Sequence, residues 1–456
     1  MKKLVIALAA VLVVVFAIVG WLMMKGKNDV ASSLPQDVTM VARFDFPSLA
    51  VQYGMDGKDA GLIVKKLLWH SDEDVDGVDY MSPSYAFATQ GYFGAIVPLS
   101  KADKFCDYVE KALSCRFEQQ RGISWTVAAY NMLLAVDDDR AMLMGPAVGA
   151  EQDALRNIIA SCLKQDEKES GMQSELFQML TSREEPIVIA TTYGALPEQV
   201  RFELLEHEMD LTSLYATAGI TLRKDRANVA LSLSSKDAKI NKFLDKANEA
   251  FQPTNGTLLA CAPNKPSVYI EAGVNGGLLL KALRSIPSVR TKLFLANAIM
   301  DVDLMIRNID GDVAFSYVDN DVQAQIQLAD TRILDKVSDW NDDITKAAGI
   351  RFEDRGGHKG FVSYKGSQLY YGADGNRLML SRNEKLVETV AHHDIKHNWA
   401  ESMEGQHLFA TIDISQSFLS AYLKHVERIN VSSNDIRQWK VELQIQDGSE
   451  LFDMIQ

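Results

Sequence analysis

The sequence lacks the short motifs that mark many enzymes and nucleotide-binding proteins. Its 456 residues contain no G-x-S-x-G nucleophile elbow, no G-x-x-x-x-G-K phosphate loop and no G-x-G-x-x-G fingerprint. The segment HEMD, which begins at His207, lacks the second histidine of a zinc protease helix. The commonest hydrolase and nucleotide-binding classes are therefore disfavoured, while a catalytic set assembled from distant residues stays open.

Cysteine, proline and positive charge are also scarce. The four cysteines, Cys106, Cys115, Cys162 and Cys261, include no C-x-x-C pair and fit one or two disulfides or four buried thiols. The net charge of −14 at pH 7 would repel nucleic acid, so we predict no nucleic-acid partner, and no motif predicts a cofactor. A hydrophobic content of 47% with only 11 prolines predicts a folded chain of about two or three domains.

The first 27 residues predict a membrane anchor. Leu4 to Met24 are uncharged and mostly apolar, and at about 1.5 Å per residue a helix of this length spans roughly 30 Å of hydrocarbon. The apolar run continues to Lys25, which favours an uncleaved signal anchor over a cleaved signal peptide. We therefore predict a single-pass protein of the bacterial inner membrane, with a transmembrane helix at 4–24 and the bulk of the chain in the periplasm.

Most of the remaining chain reads as two copies of one pattern. The matched blocks begin at Tyr85 and Val313, at Leu133 and Tyr370, at Ile187 and His407, and at Val38 and Ser267. The blocks read as strand hairpins and amphipathic helices in the same order in each copy. Because side chains alternate along a strand, the alignment also predicts that Ile96 and Ile326 share a face of their sheets.

The repeat sets the predicted fold class and domain limits. We expect an α+β protein in which an N-terminal transmembrane helix precedes two homologous tandem domains. Each domain would be a mainly antiparallel sheet with helices packed on one side. The predicted limits are a signal anchor at 1–27, a linker at 28–36, a first repeat domain at 37–252 and a second at 253–456, with proline, asparagine and glycine clustered near the boundary.

The stretch SDEDVDGVDYMSPSYAFA, residues 71–88, resembles the first half of a calcium loop. Asp72, Asp74, Asp76 and Gly77 fit positions 1, 3, 5 and 6 of an EF-hand, but position 12, which needs a bidentate glutamate, holds Pro83. An acidic turn with a glycine also precedes the matching strand of the second copy. The favoured role is therefore to turn the chain, with the three aspartates as minor candidates for a metal site.

A histidine cluster, AHHDIKH, is the other candidate metal site. His393 and His397 stand four residues apart, which on a helix would allow both to bind one ion. The stretch also reads as a helix end, where histidine is favoured by the helix dipole. The second interpretation is preferred.

Two short segments carry a resemblance to a known family. LPQDVTMVARFDFPSL near the anchor and GVDYMSPSYAFA before the first long strand are similar to segments of an uncharacterised family of anchored bacterial envelope proteins, catalogued as a domain of unknown function. The resemblance implies an extracytoplasmic α+β body. It implies no activity and no functional residue, and this chain lacks the acceptor cysteine of lipidated members.

These observations predict a non-enzymatic binding or scaffolding module of the cell envelope. Its expected partners are the membrane, through the N-terminal helix, and an unidentified envelope protein or ligand. The alternative is an envelope hydrolase with a site at the groove between the two domains. An enzyme would need a concave pocket that holds titratable side chains in mutual hydrogen-bond reach.

Overall fold

A computed structural model describes residues 30–62, 75–196, 201, 210–298, 300–318, 321–340, 343–347, 349–388, 397, 399–417, 420, 423 and 425–446. Within them the chain divides into two compact units. Unit 1 takes the described residues up to 201 and those at 211–234, and unit 2 takes 210 and those at 235–446. The domain limits predicted from the repeat stay a prediction.

Strands dominate both units. They are β1 (Met40–Phe44), β2 (Ser84–Ala88), β3 (Phe93–Pro98), β4 (Glu118–Gln120), β5 (Ile123–Ala128), β6 (Met132–Val136), β7 (Arg140–Gly145), β8 (Ile187–Thr192), β9 (Leu214–Leu222), β10 (Arg226–Ser235), β11 (Phe251–Gln252), β12 (Val268–Asn275), β13 (Ile309–Val318), β14 (Asp321–Leu328), β15 (Ile350–Gly356), β16 (Lys359–Tyr364), β17 (Ser367–Asp374), β18 (Arg377–Ser381), β19 (Leu408–Asp413), β20 (Val426–Asp435) and β21 (Gln438–Ile445).

Helices are short and lie between the strands. The α-helices of the described residues are α1 (Phe46–Gln52), α2 (Ala102–Leu113), α3 (Glu151–Lys164), α4 (Glu175–Thr181), α5 (Ala238–Glu249), α6 (Gly276–Arg284), α7 (Pro287–Asn297), α8 (Val302–Arg307), α9 (Asp343–Ala347), α10 (Glu384–Glu388) and α11 (Ala400–Met403). A 3₁₀ segment, Thr331–Trp340, follows β14.

The sheet of unit 1 has the strand order β10-β9-β8-β1-β2-β3-β7-β6-β5-β4. Tyr85 of β2 lies opposite Ile96 of β3, which lies opposite Met142 of β7. These three side chains are buried in one cluster with Leu155 and Ile159 of α3. The spacing of four residues puts both leucine and isoleucine on one helix face, so α3 covers this side of the sheet.

The opposite side of the same sheet is covered by α2. Phe105 and Val109, again four residues apart, pack with Leu134, Val136 and Ala141. Strands β6 and β7 therefore carry apolar side chains on both faces, and helices cover both of them.

Unit 2 repeats this strand order with β21-β20-β19-β12-β13-β14-β18-β17-β16-β15. As α2 follows β3 in unit 1, the 3₁₀ segment Thr331–Trp340 follows β14. Leu334, Val337 and Trp340 recur every three residues, which is the period of a 3₁₀ helix, so all three lie along one edge.

The predicted register of the repeat is wrong. Ile96 packs on the side of the sheet that α3 covers, away from α2. Ile326 packs with Leu334 and Val337 of the 3₁₀ segment that follows its own strand. The two isoleucines thus occupy opposite faces, because β3 has apolar residues on both faces and the sequence pattern does not penalise a slip of one residue.

The predicted fold class is also wrong. The described residues form 21 strands in large antiparallel sheets, and short helices cover both faces of the sheet in unit 1 instead of one side of each sheet. The predicted transmembrane helix, residues 4–24, lies outside the described residues. Of the described helices, none is long and apolar enough to cross a bilayer. The prediction of a single-pass inner-membrane protein with its bulk in the periplasm therefore finds no support and is withdrawn.

Candidate functional site

An apolar cavity of about 960 Å³ lies in unit 2. One wall is the sheet face formed by strands β14 to β18. Its side chains come from alternate positions of each strand, as the pleat requires. They are Ile326 and Leu328 of β14, Leu378 and Leu380 of β18, Leu369 and Tyr371 of β17, Val362 and Tyr364 of β16, and Ile350 and Phe352 of β15.

Short helical segments supply the facing residues. The 3₁₀ segment contributes Leu334, Val337 and Trp340, and α8 contributes Met305 and Ile306. Leu334 and Val337 are buried in a cluster with the sheet. The indole of Trp340 meets the ring of Phe352 at a centroid distance of 5.4 Å. Large side chains from two elements thus fix the shape of the cavity.

The charged groups of the lining lie at one end of the cavity. Strands β16 and β17 join there through a two-residue turn, in which Lys365 and Gly366 have φ values of 46° and 82°. These paired left-handed residues are typical of the hairpin turn whose twist matches that of the strands. Arg382 lies at the same end. It directly follows Ser381, the last residue of β18, which lies opposite Tyr370 of β17. Ser367 and Gln368 complete the polar rim.

The charge of the rim has one sign. Lys365 and Arg382 are its charged residues, and no aspartate or glutamate lines the cavity. Lys365 Nζ lies 5.1 Å from the ring centroid of Tyr364. Arg382 is exposed and makes no hydrogen bond or ion pair with any residue the structure describes. Both cations are therefore available to a ligand.

Tyr371 is the one titratable side chain buried in the wall. Its hydroxyl has no hydrogen-bond partner among the described residues and lies over Gly360, where an added Cβ would approach the oxygen to 2.5 Å. Burial, with the nearby charge of Asp354, raises the pKa of Tyr371 to about 12. The phenol stays protonated at neutral pH, so it can donate a hydrogen bond but cannot serve as a base.

The corresponding sheet face of unit 1 is covered by buried side chains. Phe105 and Val109 of α2 are buried there against Leu134 and Val136, and Tyr80 and other partly buried side chains fill the margin. The strand order alone therefore does not create the cavity. It depends on which side chains the segment after β14 carries.

The acidic turn shows no metal site in the part that is described. Asp72 and Asp74 lie outside the described residues. Asp76 is exposed beside an open hollow that Asp59 and Asp79 also line, together with Lys58, Lys101 and Lys104. The three ammonium groups equal the three carboxylates in number, so the hollow has no excess of negative charge to favour a cation. The described residues hold no group of three histidine, cysteine or acidic side chains suited to a metal ion.

The turn itself is confirmed. Gly77 has φ +83°, and a Cβ on it would approach the carbonyl oxygen of Lys101 to 2.3 Å. Its own carbonyl accepts hydrogen bonds from the backbone N–H groups of Ser100 and Lys101. The glycine therefore lets the turn close onto the start of α2, as the sequence predicted for this position.

The candidate histidine site is not tested, because His393 lies outside the described residues. The ring of His397 stacks on Trp399 with centroids 4.6 Å apart, and burial, with the charge of Arg428, lowers the pKa of His397. The four cysteines are free thiols, of which only Cys162 is buried. Neither alternative left by the sequence is met in full, because no disulfide is present and the other three thiols are partly exposed.

A buried acidic pair in unit 2, Glu271 and Asp312, was not predicted from the sequence. Glu271 is fully buried on β12, and the hydroxyl of Tyr269 donates a hydrogen bond to its carboxyl group. Burial raises the pKa of Glu271 to about 8, with further contributions from Asp312. Asp312 in turn accepts hydrogen bonds from the backbone N–H groups of Asn255 and Gly256 at 3.1 and 3.0 Å. A single glutamate in the apolar segment SVYIEAGV was the available signal.

The fold and the cavity define an antiparallel β protein with an apolar cavity in one unit. The chain belongs to the family described as Domain of unknown function (DUF4836), whose sequence model matches residues 80–432. The predicted resemblance to a domain of unknown function is thereby confirmed. The match carries no information on an anchor or a compartment.

Similarity to solved structures is low. Crystal form IV of TP0453 matches with a TM-score of 0.30 and 11% identity, over 45% of this chain and 81% of that chain. Crystal form III of TP0453 matches with a TM-score of 0.29 and 10% identity, over 50% of this chain and 90% of that chain. Neither likeness carries an argument. No curated protein matches the sequence.

Proposed function

We propose that this chain is a non-catalytic binding protein that holds an apolar small molecule in the cavity of unit 2. The observation that supports this function is the cavity itself. Its volume of about 960 Å³ lies within the usual range of ligand pockets, about 300–1,000 Å³. Its walls are aliphatic and aromatic, with a few polar groups at one end.

The composition of the lining favours binding over catalysis. The residues around the cavity include no histidine, cysteine, aspartate or glutamate. A hydrolase would need a nucleophile or a general base within hydrogen-bond reach of its substrate. The high pKa of Tyr371, about 12, excludes that phenol as a base near pH 7. A hydrolase site at the groove between the predicted domains stays a prediction.

The driving force for binding is apolar surface. Each Å² of apolar wall that a ligand removes from water contributes about 25 cal/mol. The wall side chains pack against neighbouring strands or against a helical segment, so they are already ordered before a ligand binds. Little side-chain entropy is therefore lost on binding. The ligand must therefore be mainly hydrocarbon or aromatic.

Binding of an uncharged fluorescent probe tests the proposal. N-phenyl-1-naphthylamine should bind the purified full chain with a saturable rise in emission. Val362→Trp, which places an indole in the cavity, should abolish the rise. Ser363→Trp, on the opposite face of the same strand, is the matched control and should leave it unchanged. Circular dichroism verifies that both variants are folded.

Two results would contradict the proposal. The first is probe binding that Val362→Trp and Ser363→Trp leave equally intact, because the probe would then lie elsewhere. The second is a dimer, seen by sedimentation, that Val362→Trp dissociates. The apolar walls would then be an interface between copies of this chain.

A further inference from the structure

We infer that the cavity ligand is a single-chain amphiphile whose anionic head group, a carboxylate or a phosphate, is bound by Arg382 and Lys365. This inference rests on the proposed function and names the class of ligand. It draws on three independent features: the sign of the rim charge, the position of the cations and the length of the apolar wall.

The sign of the rim charge runs against that of the whole chain. Acidic residues outnumber basic residues by 61 to 47. The cavity nevertheless has Lys365 and Arg382 as its charged lining residues, with no carboxylate among them. An anionic group on the ligand would gain two charge-assisted contacts there. A cationic group would be repelled by both.

The two cations also lie where a head group would emerge. Lys365 occupies the turn between β16 and β17, and Arg382 follows β18 on the face that carries Leu378 and Leu380. Both are exposed, so their charge remains in water while the hydrocarbon walls extend away from them. The guanidinium of Arg382 has no partner among the described residues, and its fork of donors matches the two oxygens of a carboxylate or phosphate.

The apolar wall is long in the direction that leads away from the cations. Arg382 is adjacent to Ser381, which pairs with Gln323 of β14. From there the cavity face continues along β14 to Leu328, about five residues further, or about 16 Å at about 3.3 Å per residue. A wall of this length accommodates an extended hydrocarbon chain whose head group remains beside the two cations.

Four twelve-carbon amphiphiles that share a chain and differ in the head group test the inference. They are dodecanoate, dodecyl phosphate, dodecanol and dodecyltrimethylammonium. Each would be titrated by displacement of N-phenyl-1-naphthylamine from the full chain, with the charged amphiphiles below their micelle-forming concentrations and dodecanol below its solubility limit. Arg382→Glu is expected to weaken binding of the two anions about tenfold. It should leave dodecanol within about twofold, and strengthen the binding of the cation.

The matched control is Arg351→Glu. Arg351 is an exposed arginine of β15, between the cavity residues Ile350 and Phe352, so its side chain projects from the opposite face. The substitution Arg351→Glu changes the net charge by the same amount as Arg382→Glu. Arg351→Glu should change the affinity for every amphiphile by less than about twofold. Lys365→Glu should act in the same direction as Arg382→Glu, with a smaller effect because a lysine offers no fork of donors.

The outcomes separate this inference from the proposed function. If the probe and dodecanol bind while Arg382→Glu leaves both anions unaffected, the cavity binds apolar ligands and the anionic head group is refuted. An equal loss for Arg351→Glu also refutes it, because the effect would be one of overall charge. Anion binding that weakens with Arg382→Glu for only one of the two head groups supports the inference and identifies the head. If neither probe nor any amphiphile binds, the proposed function itself fails.

Discussion

Trp340 meets Phe352 edge to face, with ring centroids 5.4 Å apart and ring planes at 72°. Both rings line the cavity, and edge-to-face aromatic pairs contribute about 0.5–1.5 kcal/mol beyond the area they bury. The indole is therefore a fixed part of the wall and in reach of any ligand, which makes it a natural reporter.

The first prediction uses that reporter. Binding of dodecanoate should shift or quench the tryptophan emission of the full chain, because a ligand displaces water from the surroundings of Trp340. Trp340→Phe should remove most of this response. Trp439→Phe is the control, since the Trp439 indole donates to the backbone carbonyl of Ile436 and does not line the cavity. A response that survives in Trp340→Phe would place the ligand away from this wall.

The second prediction concerns the pH dependence of stability through Glu271. Its pKa rises from an ordinary 4.5 to about 8 in the folded protein, chiefly by burial. Between these two values the folded state keeps the proton and the unfolded state loses it. The contribution of Glu271 to stability is therefore present below pH 4.5, falls by at most about 1.4 kcal/mol per pH unit as pH rises, and is lost above about pH 8.

Glu271→Gln tests this linkage, because glutamine has similar shape and no proton to lose. Its thermal unfolding midpoint should exceed that of the native chain at pH 8 and approach it at pH 5. Glu401→Gln, at an exposed position of α11, should show no such change with pH. A constant difference between Glu271→Gln and the native chain at both pH values would refute the linkage.

The third prediction is a loss of stability in Gly77→Ala. The left-handed backbone at φ +83° and the approach of an added Cβ to the Lys101 carbonyl oxygen at 2.3 Å both oppose a side chain. The cost should be about 1–3 kcal/mol, seen as a lower midpoint of unfolding. Gly91→Ala is the matched control, since an added Cβ there meets no atom within 4 Å. Equal midpoints for the two variants would contradict the role given to Gly77.

The fourth prediction concerns thiol reactivity. Burial raises the pKa of both Cys106 and Cys162 to about 11, so little thiolate is present near pH 8. Iodoacetamide should label both slowly in the folded protein and rapidly in urea, as followed by mass spectrometry of the peptides. Fast labelling of Cys162 without denaturant would show that its environment is open.

Local features were predictable from the sequence because they depend on neighbouring residues. The hairpin that contains Asp137 is one, where its carboxylate accepts hydrogen bonds from the N–H groups of Asp139 and Arg140. The turn at Gly77 is another. In each case short polar side chains or glycine define a turn within a few positions.

The face of a strand was harder to predict. Strand β3 has Ile96 buried on one side, and Val97 packs into a cluster on the other. Where both faces are apolar, alternation does not fix the register, so the match between Ile96 and Ile326 slipped by one residue. The same property brought helices to both faces of unit 1 and defeated the predicted one-sided arrangement.

The cavity could not be predicted because it is a gap between residues distant in sequence. Trp340 and Leu369 line it from different elements, and neither segment alone shows that the space between them is unfilled. Packing depends on side-chain shape in three dimensions, which a periodic pattern does not encode.

The two units share one strand order but differ in what lies on one face of the sheet. In unit 1, Phe105 and Val109 cover that face, whereas in unit 2 the same face borders the cavity. This difference bears on how freely each half can change over evolutionary time. Truncation of a close-packed residue such as Phe105 to alanine costs about 3–5 kcal/mol, whereas a wall residue that already borders empty space loses fewer contacts. Leu334, Val337 and Phe352 line the cavity but are also buried in the core cluster of unit 2, so substitutions there should destabilise the chain too. Substitutions should accumulate mainly at exposed lining residues such as Tyr364 and Leu369.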